Sequence, residues 1–161
     1  MTMETGSRMP DGTLTVVTDD GPEQVEASKF FGGRTVVLFA VPGAFTPTCH
    51  MSHMPGFVNN ADAFRAKGVD EIAVIAVNDP FVMKAWREAS DAKGKVTFLA
   101  DGSARYVTAL GLDLDAAGFG MGTRAKRFAM LVEDGTVKEV SVEDSPGAVE
   151  VSGAEEMLAK L

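Results

Sequence analysis

Cysteine is all but missing from this chain, with one in 161 residues, Cys49. No intrachain disulfide can form, and a reducing, cytoplasmic setting is the expectation. Long apolar runs are missing as well. The longest uninterrupted aliphatic and aromatic stretch, Val36 to Val41, covers six residues, against about 20 for a membrane-crossing helix. Positive charge is scarce: 15 Lys and Arg stand against 23 Asp and Glu, a formal net charge of −8. A surface of that sign repels phosphate backbones and anionic lipid, so neither nucleic acid nor membrane is an expected partner. The first residues, Met1 to Thr5, lack a charged stretch followed by an apolar one, so no signal peptide is expected. No Gly-rich loop follows a predicted strand in the way a phosphate cradle would require.

What is present reads as one globular domain over residues 1–161. Its mean hydropathy is near zero, at +0.06, and its length is enough for a single core. Strands are predicted at Leu14–Val17, Val36–Val41, Ile72–Val77 and Val96–Leu99. The middle two are unbroken β-favouring runs, as expected for strands buried on both faces. Ala27 to Phe31 predicts one helical turn. Thr48 to about Lys67 predicts a helix that Pro55-Gly56 must kink or divide. Asp79-Pro80 supplies an N-cap and a first-turn proline for a helix running to about Ala92. Ala104 to Leu110 predicts a short helix. Phe128–Val132 and Val137–Val142 flank Asp134-Gly135, a strong hairpin signal. Ser152-Gly153-Ala154-Glu155 reads as a capping box opening a last helix. This order implies an α/β fold with a central mixed β-sheet flanked by helices. A thioredoxin-like fold fits it, although the pattern alone leaves other three-layer folds open.

The chemically informative stretch runs from Val41 to Cys49, Val-Pro-Gly-Ala-Phe-Thr-Pro-Thr-Cys. A buried strand ends, a Pro- and Gly-containing loop turns, and a helix begins beside Cys49. Free backbone N–H groups and the positive end of the helix dipole stabilise an anion there. Thiols so placed titrate below the free value of about 8.5 and become useful nucleophiles. A lone buried cysteine also serves as a small hydrophobe, so position alone leaves both roles open.

Pro42, Thr46 and Cys49, spaced Pro-x-x-x-Thr-x-x-Cys, resemble the active-site signature of the peroxiredoxins, cysteine-dependent peroxidases. The string from Val41 to Phe57 is similar to the type II/type V group of that family. The likeness extends to Val77–Val82, Trp86, Leu99–Gly102 and Arg124–Met130 with Glu133–Gly135. The resemblance implies a thioredoxin-like fold and reduction of hydrogen peroxide and alkyl hydroperoxides through a Cys49 sulfenic acid. It implies that Thr46 and an arginine, Arg127 by motif and Arg124 as second choice, hold and polarise the peroxide. Pro42 would shield the thiolate from water. No cofactor is implied. Relatives often carry a second, resolving cysteine, which this chain lacks. An external thiol, glutathione with glutaredoxin or else thioredoxin, would therefore regenerate Cys49. The resemblance also implies a homodimer.

His50 and His53 are the only histidines. Cys49 and His53 are four residues apart and share a helical face, so a Cys–His nucleophilic pair is conceivable, and so is a zinc site. Adjacent helical residues point about 100° apart and no further Cys or His is available, which counts against zinc. Packing and hydrogen bonding near Pro55-Gly56-Phe57 is the plainer role for His53. Asp79 and Asp101 read as caps, and Trp86 as core or interface. Two other functions remain open on sequence: a redox-inert binding protein on the same fold, and a redox sensor whose oxidised Cys49 pairs with a partner.

Overall fold

The computed structural model describes residues 2–161. Its centre is a seven-stranded sheet of order β2-β1-β5-β4-β3-β8-β9. The strands are β1 (Thr13–Thr18), β2 (Gly21–Glu26), β3 (Thr35–Ala40), β4 (Glu71–Ala76) and β5 (Thr97–Ala100), then β8 (Phe128–Glu133) and β9 (Thr136–Val142). A separate two-stranded ribbon pairs β6 (Asp113–Asp115) with β7 (Thr123–Ala125). β3, β4 and β5 run parallel, whereas β1 and β8 join them antiparallel, so strand directions are mixed. This is the thioredoxin-like architecture that the strand and helix order suggested.

Alternation along the strands builds a core on each face. Val37 and Phe39 of β3 and Val74 of β4 point to one side. There they meet α2 (Met54–Asn59), α3 (Ala61–Ala66), α4 (Pro80–Ala89) and α6 (Ala154–Leu158) through Phe57, Phe64, Trp86 and Met157. Val36, Leu38 and Ile75 point to the other side. They pack against α1 (Ala27–Phe31) and α5 (Arg105–Ala109) through Phe30, Phe31 and Val107. Both faces of the central strands are thus dry, which is why their sequences read as continuous apolar runs. The hairpin closes as its sequence indicates: Glu133 pairs with Thr136. Asp134 and Gly135 both take positive φ, 47° and 75°, as a two-residue primed turn requires.

Four expectations need correction. The helix after Cys49 does not divide at Pro55-Gly56. A π-helical turn, Cys49–His53, closes with Met54 N–H donated to Cys49 O, and Pro55 then sits in the first turn of α2. Proline is tolerated there because its missing N–H has no helical partner to lose. The division falls at Asn60, whose backbone leaves the helical region at φ −103°, ψ 10°. Ser152 is not a helix cap: α6 starts after Gly153 with no side-chain cap, and the Ser152 hydroxyl is donated to Glu143 instead. α4 ends at Ala89, short of Ala92. Strands β2, β6 and β7 were not anticipated, because their residues are largely exposed and carry no apolar period.

Asp79 does cap α4, accepting from Phe81 and Val82 N–H. Asp101 accepts from Tyr106 and Val107 N–H at the start of α5.

Candidate active site

The site lies at the carboxyl end of β3, where the chain leaves the sheet at Val41. The loop is pinned to the end of β4 by Ala44 N–H donating to Asn78 Oδ1 at 3.0 Å. Phe45 takes a left-handed conformation, φ 64°, which costs backbone energy in a bulky residue. The turn it completes folds Thr46 back over Gly43, and the helix then begins, with Cys49 in its first turns.

Cys49 is fully buried. Thr46 Oγ1 lies 2.8 Å from its Sγ and 2.7 Å from Gly43 O. One hydroxyl proton therefore serves two acceptors, and a charged sulfur or a bound peroxide would redirect it. Arg127 Nη2 donates to the same sulfur at 2.9 Å. The rest of the guanidinium is tied down: Nε donates to Pro146 O at 3.0 Å and Nη1 to His53 Nδ1 at 2.9 Å. An arginine fixed at three points presents its charge in one orientation, which a lysine could not reproduce.

His53 is as deeply buried as the cysteine, with its ring against Phe39 and Phe57. Its Nε2 lies 2.8 Å from Ser152 O. A carbonyl only accepts, so Nε2 carries the hydrogen, and a guanidinium only donates, so Nδ1 must be bare. The two partners thereby select one neutral tautomer. Burial, reinforced by the charge on Arg127, pushes the ring's pKa down to about 4, against the opposing Ser152 bond and Glu143 charge.

Thr46, Arg127 and Pro42 also line a cavity of about 490 Å³, whose walls include Leu114, Phe119 and Met121. Cys49 lies beneath that surface rather than in it. A larger open cleft of about 800 Å³ elsewhere includes Asp79 and Asp101, but both carboxylates are occupied as caps.

Of the residues singled out in the sequence, Cys49, Thr46 and Arg127 are brought into contact, and Pro42 stands in the same cavity wall. Arg124 is not on the sulfur: it donates to Met121 O and Val77 O, each at 2.9 Å. His50 accepts from Trp86 Nε1 at 3.0 Å, and Trp86 is fully buried core. His53 both packs on Phe57 and hydrogen-bonds, as expected, but its bonds go to Arg127 and Ser152 O, far from it in sequence. Its four-residue spacing from Cys49 was the available signal. Glu143, Ser152 and Pro146 were missed because nothing local in sequence ties them to Cys49. Among the described residues no cluster of three or more His, Cys, Asp or Glu is arranged to hold a metal ion.

The Redoxin family pattern matches residues 4–158. Peroxiredoxin-2C of Oryza sativa subsp. japonica is 47% identical over 157 residues, covering 97% of this chain and 96% of that protein. The chain belongs to the peroxiredoxin family. This peroxiredoxin is a thiol-dependent peroxidase, a one-cysteine member of the type II/type V group. Among solved structures, reduced Prx3 of Vibrio vulnificus in complex with H2O2 is similar with TM-score 0.92 and 48% identity, over 98% of both chains. A Burkholderia cenocepacia chain described as a thioredoxin reductase is similar with TM-score 0.97 and 43% identity, over 100% of this chain and 99% of that one. That description does not transfer to a peroxiredoxin with one cysteine, which holds no dithiol pair of its own.

Proposed function

We propose that Cys49 is the nucleophile of this peroxidase and that Thr46 and Arg127 position and polarise the peroxide. The carrying observation is the pair of donors converging on one buried sulfur. The Cys49 thiolate attacks one peroxide oxygen, an S–O bond forms, and the O–O bond breaks. Sulfur is oxidised by two electrons, and the departing oxygen leaves as water or an alcohol after taking a proton. Negative charge moves from sulfur to that oxygen, so a fixed guanidinium and a hydroxyl serve both ends of the transfer. Pro42, buried in the cavity wall, keeps water from competing for those donors. The Vibrio relative crystallised with hydrogen peroxide supports the same substrate here.

Recycling needs two equivalents of an external thiol. The first displaces water from the sulfenic acid to give a mixed disulfide, and the second releases Cys49 as thiol. Glutathione with glutaredoxin, or else thioredoxin, fits this requirement, and no prosthetic group enters the cycle. Such thiols are kept reduced in the cytoplasm, where we place the protein. Phe45 of the reactive loop and Phe119 of the cavity wall are exposed large apolar side chains, which supports a homodimer joined near that end.

The deciding experiment is hydrogen peroxide reduction by the wild type and Cys49→Ser, with each thiol system supplied in turn. Turnover in the wild type alone supports the assignment. Turnover that survives Cys49→Ser refutes it.

A further inference from the structure

We propose that Glu143 is a positioning residue for Arg127, acting through the segment 144–152 without touching substrate. This rests on the peroxidase reading of Cys49. Glu143 follows β9 at the open end of the hairpin, and its N–H donates to Arg127 O at 2.9 Å. Its side chain bonds to residues 150–152 and not to the arginine. One oxygen, Oε2, accepts Glu150 N–H at 2.9 Å, Val151 N–H at 2.8 Å, Ser152 N–H at 2.7 Å and Ser152 Oγ–H at 2.6 Å. Burial pushes this carboxyl up, but the Ser152 hydroxyl and the three N–H groups outweigh it and hold its pKa below the ordinary value.

Those four bonds close 144–152 into a loop. The loop supplies Pro146 O, which accepts from Arg127 Nε, and Ser152 O, which sets the His53 tautomer that accepts from Arg127 Nη1. Both bonds that aim Nη2 at Cys49, on Nε and on Nη1, thus depend on a loop held by one carboxylate oxygen. The loop also touches the start of the active-site helix, where Thr48 Oγ1 donates to Gly147 O.

The test is a double-mutant cycle on the full chain. Glu143→Ala is made in the wild type and in Arg127→Gln, and Cys49 oxidation by hydrogen peroxide is followed in stopped flow. The His53 ring tautomer is read from long-range ¹H–¹⁵N spectra of the reduced protein. Glu143→Ala is expected to slow oxidation at least about tenfold beside Arg127, because small misplacements of a catalytic group are costly. In the Arg127→Gln background it is expected to cost less than about twofold, since the group it positions is gone. The spectrum is expected to change from pure Nε2–H to a tautomer mixture. Glu143→Gln is expected to recover most of the rate, because all four bonds end on one oxygen that the amide retains. If Glu143→Ala does not fold, Ser152→Ala removes one of the four bonds and carries the same cycle with a smaller loss.

Equal losses in both backgrounds, or an unchanged His53 tautomer in the folded variant, would overturn the proposal. The spectrum needs no peroxide. A wild type that fails to reduce peroxide therefore defeats the peroxidase reading while leaving the positioning test intact.

Discussion

Replacing His53 by Gln removes a titrating ring but keeps one donor and one acceptor, which makes its effect on pH-dependent stability a sharp test of the site's hydrogen bonding. In the fold the ring is neutral, since Ser152 O requires a hydrogen on Nε2 and Arg127 requires a bare Nδ1. Protonation would set an N–H against the guanidinium, and burial already disfavours the charge, so the pKa falls from 6.5 to about 4. In the unfolded chain the ring returns to its ordinary value. Between those two values the unfolded state binds a proton that the folded state does not. His53 therefore contributes stability that is fully present above about pH 6.5 and is lost as pH falls toward about 4. The loss approaches about 1.4 kcal/mol per pH unit inside that window and totals about 3 kcal/mol across it. Urea unfolding of wild type and His53→Gln, repeated from pH 7.5 to pH 4, measures it directly. The difference in stability between the two should shrink with acidity by that amount. Parallel pH dependences for both proteins, or a His53 ring titrating near 6.5 by NMR, would refute the bonding pattern described for the site.

Two further outcomes are expected. Arg127→Gln should slow Cys49 oxidation by about 10²–10³, the usual cost of removing one donor from developing charge, while Arg124→Gln should cost less than about tenfold because its bonds end on Met121 O and Val77 O; stopped-flow rates in the reverse order would move the role to Arg124. Phe57 is fully buried and stacked on Phe39 with ring centroids 4.0 Å apart, so Phe57→Ala should lower stability by about 3–5 kcal/mol, read as a drop in the urea midpoint, and a loss under about 1 kcal/mol would show that this face of the core refills.

Sequence by itself determined the central strands and the loop from Pro42 to Cys49. Strands β3 and β4 are buried on both faces, so nearly every residue must be apolar, and that leaves an unbroken run that local reading detects. Asp79-Pro80 and Asp134-Gly135 were legible for a similar reason, because a cap and a primed turn are set by one or two residues. Pro42, Thr46 and Cys49 lie within eight residues of one another, so their spacing survives in the linear chain. Exposed strands β2, β6 and β7 left no such mark, since water accepts nearly any side chain there.

Tertiary structure decided what depends on residues far apart. Ser152 has the right neighbours for a helix cap, yet its hydroxyl belongs to Glu143, nine positions earlier. The helix breaks at Asn60 instead of Pro55, because the π turn ends just before the proline and leaves it in the first turn of α2, where its absent N–H loses no partner. Choosing between Arg127 and Arg124 needs the placement of the β6–β7 ribbon beside the sheet and of β8 within it, which puts one guanidinium on sulfur and the other on backbone carbonyls. His53 is neutral because two groups, 74 and 99 residues away, take its two nitrogens. Hydrogen bonds at such separations leave no periodicity or spacing in the chain, and only folding brings their donors and acceptors within about 3 Å of each other.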